Sequence, residues 1–100
     1  MGITNLTDEN FNEQIESGKA IVYFYDNKKK SSRIFEEIMI ETEKDIGKQV
    51  KICKMNVSEE KTKVKLGVMS LPTMVYFKSG KVDRKIVGIR QKEEIITMLK

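Results

Sequence analysis

Ser70-Leu71-Pro72-Thr73-Met74-Val75-Tyr76-Phe77 carries the one proline of the chain directly ahead of its strongest strand pattern. A tertiary amide keeps only about 0.5 to 1 kcal/mol of trans preference, so the Leu71–Pro72 bond is free to be cis, and this turn is expected to hold it so. Downstream, Ser79-Gly80 is a two-residue hairpin signal between Thr73–Lys78 and Lys81–Val87, which makes the last two strands antiparallel. Gln91 to Lys100 then reads as a closing helix that faces inward through Ile95, Ile96 and Leu99.

Upstream, the unbroken apolar run Ala20-Ile21-Val22-Tyr23-Phe24-Tyr25 suits a central strand covered on both faces. It leads through a polar turn, with Asp26 or Asn27 as the expected cap, into a long helix from about Lys29 to Ile46. That helix has a stripe of Phe35, Ile38, Met39, Thr42 and Ile46, and Gly47 as its stop. Before the central strand, Ile3 to Leu6 reads as a short strand. Thr7 or Asp8 is the expected cap of a helix that carries Phe11 and Ile15 on one face and ends at Gly18. Val50 to Val57 is a third strand, and Ser58 to Leu66 a short helix closed by Gly67. The order is β-α-β-α-β-α followed by a hairpin and a helix: an α/β domain spanning residues 1–100, with a mixed sheet of about five strands between four helices.

Composition narrows the chemistry. The 100 residues are 39% hydrophobic and 34% charged, typical of a chain with one packed core. With no histidine and a single cysteine, Cys53, the chain has no imidazole base, no Cys-His nucleophile, no zinc set of the usual kind and no internal disulfide. No metal or other cofactor is expected. The net charge of +4 is spread over most of the chain, which reads as a solvated surface rather than a nucleic-acid footprint. No apolar run approaches the roughly 20 residues that span a bilayer, and the first residues lack the pattern of a signal peptide. A monomer in a reducing compartment, the cytoplasm, is the expectation. The adjacent acidic pairs Glu36-Glu37, Glu59-Glu60 and Glu93-Glu94 point in different directions on their helices and read as surface.

The run of motifs resembles the thioredoxin family over nearly the whole chain. The resemblance is carried by Leu6-Thr7-Asp8-Glu9-Asn10-Phe11, Val22-Tyr23-Phe24-Tyr25, Val50 to Asn56, Leu66-Gly67-Val68, Leu71-Pro72-Thr73, Phe77-Lys78-Ser79-Gly80, Val87-Gly88 and Lys92-Glu93-Glu94-Ile95. It implies the thioredoxin fold with a cis-proline before strand four. It also places the family's redox motif, Trp-Cys-Gly-Pro-Cys, on Lys28-Lys29-Lys30-Ser31-Ser32. Disulfide exchange needs one thiolate to attack and a second to resolve the mixed disulfide, and neither amine nor hydroxyl does this. By the same resemblance the family's buried aspartate falls at Tyr23, its lysine partner is kept as Lys54, and its helix-kinking proline is Glu37, so helix two is expected to run straighter.

What the resemblance leaves is a groove. Leu71 would offer its backbone N–H and C=O to an extended segment. Val57, Ser70, Gly88 and Ile89 would line the apolar side, with Lys28, Lys30 and Ser31 on the opposite wall. The implied function is a non-catalytic protein or peptide-binding module with a basic rim that favours acidic partners. Two alternatives stand beside it: a residual role in redox homeostasis through Cys53, and an anion site where Lys28, Lys29, Lys30 and Arg33 meet the N-terminus of helix two.

Overall fold

The computed structural model describes residues 2–99. Nine elements follow in the order β1 (Thr4–Leu6), α1 (Phe11–Ile15), β2 (Lys19–Tyr25), α2 (Lys30–Ile46), β3 (Lys51–Asn56), α3 (Glu60–Lys65), β4 (Thr73–Lys78), β5 (Lys81–Val87) and α4 (Lys92–Met98). The sheet order is β1-β3-β2-β4-β5. β3 runs parallel to both β1 and β2, while β4 runs antiparallel to β2 and to β5.

β2 is the central strand, and its alternation divides the core in two. Ala20, Val22 and Phe24 point to one face, where Phe11 and Ile15 of α1 cover them together with Cys53, Met55, Val75 and Phe77. Ile21 and Tyr23 point to the other, against Phe35 and Met39 of α2, Ile95 of α4, and Ile52, Met74 and Tyr76. A two-residue period thus feeds two apolar layers at once, which is why the run at residues 20–25 needs no polar face. The β4–β5 turn has positive φ at both central residues, 49° at Ser79 and 82° at Gly80. That is the handedness a tight hairpin needs, and glycine takes it without a Cβ penalty.

The helix ends fall close to their expected places, but not all of the groups that cap them are the expected ones. α1 starts at Phe11, and the expected Thr7 caps the turn that leads into it: the Thr7 N–H donates to Asn10 Oδ1 (2.8 Å), the Asn10 N–H to Thr7 Oγ1 (3.3 Å) and the Phe11 N–H to the Thr7 carbonyl (3.0 Å). α2 starts behind Lys29, with no side chain capping it; Asp26 Oδ1 instead accepts from the Lys28 N–H at 3.0 Å, closing a turn ahead of the helix. Gly47 ends α2 in a right-handed conformation (φ −59°), so it is not a left-handed stop. A Cβ there would collide with the Glu43 side chain and carbonyl, and close approach is what requires glycine at this position. The closing helix was expected to reach Lys100, which lies outside the described residues.

Candidate functional site

The site assembles at the C-terminal end of β2, where the strand turns into α2 and the Ser70–Pro72 segment turns into β4. The Leu71–Pro72 peptide is cis. The Gly88 N–H donates to the Pro72 carbonyl at 2.9 Å, tying the end of β5 to this turn, and Gly88 adopts φ 97° to do so. Thr73 Oγ1 donates to the Ser70 carbonyl at 2.6 Å, which fixes the other side. Between these anchors the Leu71 backbone N–H and C=O have no hydrogen-bond partner among the described residues.

Beside Leu71 lies a cleft of about 210 Å³ that gathers Asp26, Lys29, Val57, Lys63, Met69 and Ser70. Of the residues the resemblance pointed to, Lys29, Val57, Ser70 and Leu71 line it together. Lys28 opens onto an adjoining cleft that shares Asp26, Val57 and Lys63. Lys30 and Ser31 form the first turn of α2 and line neither cleft. Gly88, bonded to the Pro72 carbonyl, and Ile89, 38% exposed, line neither cleft. Sequence reading overlooked Lys63 and Met69. Met69 is 93% exposed, the most exposed large apolar side chain among the described residues, and an unpaired methionine between Gly67 and Pro72 was the signal available.

At the positions where the resemblance implies thiols stand Lys29 and Ser32. Ser32 is buried, and its hydroxyl accepts a hydrogen bond from the Asp26 backbone N–H at 3.0 Å. Lys29 is solvent-exposed, and no carboxylate makes an ion pair with Lys28, Lys29, Lys30 or Lys63 among the described residues. Beneath the turn, Tyr23 is packed edge-on against Phe35 with ring centroids 5.8 Å apart. Burial first, and then the Glu36 charge, push its phenol far above the ordinary tyrosine range. At neutral pH it therefore holds its proton and offers no base.

Lys54 has acquired a new carboxylate. Its Nζ lies 2.8 Å from Glu36 Oε1, and it also sits 5.5 Å from the centre of the Tyr25 ring. The resemblance implies a counter-charge on the strand; here it comes from α2, in the second turn of the helix. The only cysteine, Cys53, is fully buried in β3 beside Val22 and Thr4. Burial raises its thiol to about 11, with the charge of Lys51 opposing only in part. A thiol so placed is almost wholly protonated at neutral pH and is unsuited to attack a disulfide.

The family profile described as Thioredoxin matches residues 2–100. Among curated proteins, the chain is 34% identical to a thioredoxin of Staphylococcus haemolyticus over 100 residues, covering 99% of this chain and 96% of that protein. It is 33% identical to a thioredoxin of Staphylococcus epidermidis and 32% identical to one of Staphylococcus aureus, with the same coverage. Among the described residues no helix is long and apolar enough to cross a membrane.

Proposed function

Since this chain belongs to the thioredoxin family and has only one cysteine, hence no Cys-x-x-Cys pair, we propose that it is a non-catalytic module that binds an extended protein segment at Leu71. The observation that carries the reading is a contrast within one site. The cleft beside Leu71 is open and the Leu71 backbone groups are unpaired among the described residues, while the two thiol positions hold an exposed amine and a hydroxyl committed to the Asp26 N–H. An extended segment would add to Leu71 as a short strand through main-chain hydrogen bonds, which are indifferent to whether the neighbouring side chains do redox chemistry. Met69 supplies an adaptable apolar anchor. Lys29 and Lys63, neither held in an ion pair among the described residues, steer acidic partners toward the cleft. A lone buried thiol suits a reducing compartment such as the cytoplasm.

Residual redox work through Cys53 is the weaker reading, because the thiol is both inaccessible and held protonated. Two measurements separate the readings. In an insulin-reduction assay driven by dithiothreitol, the protein is expected to add nothing to the uncatalysed rate. In a titration of ¹⁵N-labelled protein with an extended peptide of alternating aspartate and leucine, amide shifts are expected to concentrate at Val57, Lys63 and residues 69–71, and to shrink in Met69→Asp. Turnover near that of an ordinary thioredoxin, or shifts that bypass these residues, would remove the proposal.

A further inference from the structure

We propose that the protein self-associates through the outer ridge of α2, two copies packing their helices antiparallel about a two-fold axis near residues 35 and 36, in place of the monomer expected from sequence. Lys30, Ile34, Glu37 and Glu41 follow one another at spacings of four, three and four, so they form a single ridge along the helix. Ile34 is 55% exposed on it. Next to it, a groove of about 360 Å³ opens between α2 and the start of α4, with Ile34 and Ile38 as its apolar part and Glu37, Glu41 and Glu93 as its acidic rim. The lysine in that groove, Lys92, is already paired with Asp45 at 3.0 Å, and Glu41 has only the solvent-exposed Lys44 at 2.9 Å. In a chain of net charge +4, this groove is locally anionic.

The occupant is argued from charge. The same ridge is cationic in its first half, at Lys30 with Arg33 on the row beside it, and anionic in its second, at Glu37 and Glu41, with Ile34 between. An isologous interface must be self-complementary, and a helix whose charge changes sign at its exposed apolar residue has that property about a perpendicular two-fold axis. Lys30 and Glu41 lie equally far from the midpoint of residues 35 and 36, each about 8 Å along the axis. Antiparallel pairing there sets Lys30 of each copy opposite Glu41 of the other. Arg33 comes within one residue of the second copy's Glu37, and Ile34 within one residue of the second copy's Ile38. The opposed helix dipoles also attract. A basic segment of a different protein would match the rim but not the cationic first half of the ridge, so a second copy fits more of the observed surface. No residue lining the cleft beside Leu71 lines this groove, and the two surfaces can be tested separately.

Sedimentation equilibrium on the whole chain between about 10 µM and about 1 mM is the test, the range in which a small polar interface associates. The mass is expected to rise toward the dimer. Ile34→Asp should weaken association by about tenfold or more, and Lys30→Glu by several-fold. The reversal Lys30→Glu with Glu41→Lys should recover most of the loss, because only the pairing between copies is then restored. All three positions are exposed, and an unchanged circular-dichroism melt checks that the variants fold. A monomer at the highest concentration overturns the proposal. So does association that is indifferent to Ile34→Asp, or a double reversal that recovers nothing. If the protein stays monomeric while a lysine- and isoleucine-rich peptide shifts the amides of residues 34–41, the groove belongs to a basic partner and self-association is likewise overturned.

Discussion

The Tyr23 hydroxyl is buried without a hydrogen-bond partner among the described residues, and so is that of Tyr76 on the same face of the sheet. A buried polar atom left unsatisfied costs roughly 1 to 3 kcal/mol, whereas the ring itself contributes packing against Phe35. Removing only the oxygen should therefore help. Tyr23→Phe is expected to raise the urea-unfolding free energy by about 1 kcal/mol, and a loss of similar size would show that the hydroxyl is satisfied after all. Cys53 supplies a second test, through pH. Its folded pKa of about 11 exceeds the unfolded 9.0, so above pH 9 the unfolded chain gives up a proton that the folded chain keeps. Fewer protons on the unfolded state means stability falls as pH rises, by up to about 2 to 3 kcal/mol across that window. In Cys53→Ala the chain starts less stable from the lost packing, but its stability should decline less between pH 9 and 10.5. Parallel curves for the two proteins would refute the assignment.

Among the elements, α3 owes its placement to a residue fifty positions away. Asp8 accepts from the Thr62 N–H at 2.8 Å and the Lys61 N–H at 3.3 Å, filling two of the unpaired donors at the start of that helix, and Glu59 Oε1 accepts from the Asp8 N–H at 2.7 Å in return. Bonding to Thr62 foremost, then to the Lys61 amide, holds the Asp8 carboxyl below its usual range. A lowered folded pKa gives stability that is present above pH 3.8 and lost as pH falls through the folded value. Asp8→Ala should therefore melt lower than wild type at pH 7, with faster amide exchange at Lys61 and Thr62, and the gap should close in acid. A gap that persists at pH 2 would mean that Asp8 acts by packing. This contact also marks where sequence reading stops. β4, β5 and their turn are legible to the residue because Ser79-Gly80, Pro72 and alternating apolar positions act locally. Asp8 looks like a cap for the helix beside it because periodicity does not reveal which distant amides will come within reach. Lys63 and Met69 escaped for the same reason: they join Lys29 and Leu71 only once α3 has been docked.

At the scale of the whole molecule, the family's fold stands without its Cys-x-x-Cys pair. Five strands, the Pro72 turn and the Leu71 backbone are kept, and the departures cluster where sulfur chemistry would occur: Lys29, Ser32 and Tyr23. Ser32 is built into the fold as an acceptor for the Asp26 N–H and Tyr23 as core, while Lys29 stays exposed and the retained Lys54 pairs with Glu36. If the loss is confined to those positions, the scaffold should accept the thiols back. Lys29→Cys with Ser32→Cys places two sulfurs one helical turn apart at the N-terminus of α2, where the helix dipole favours a thiolate on the exposed residue. The double variant is expected to lose two mass units on oxidation and regain them with dithiothreitol, and to reduce insulin measurably. It should still run roughly 10²-fold or more below an ordinary thioredoxin, because Tyr23 cannot move the proton that the family's aspartate does. A folded double variant that forms the disulfide yet shows no turnover would place part of the loss in the cleft itself. One that matches an ordinary thioredoxin would mean that Glu36, through Lys54, has taken over the proton chemistry.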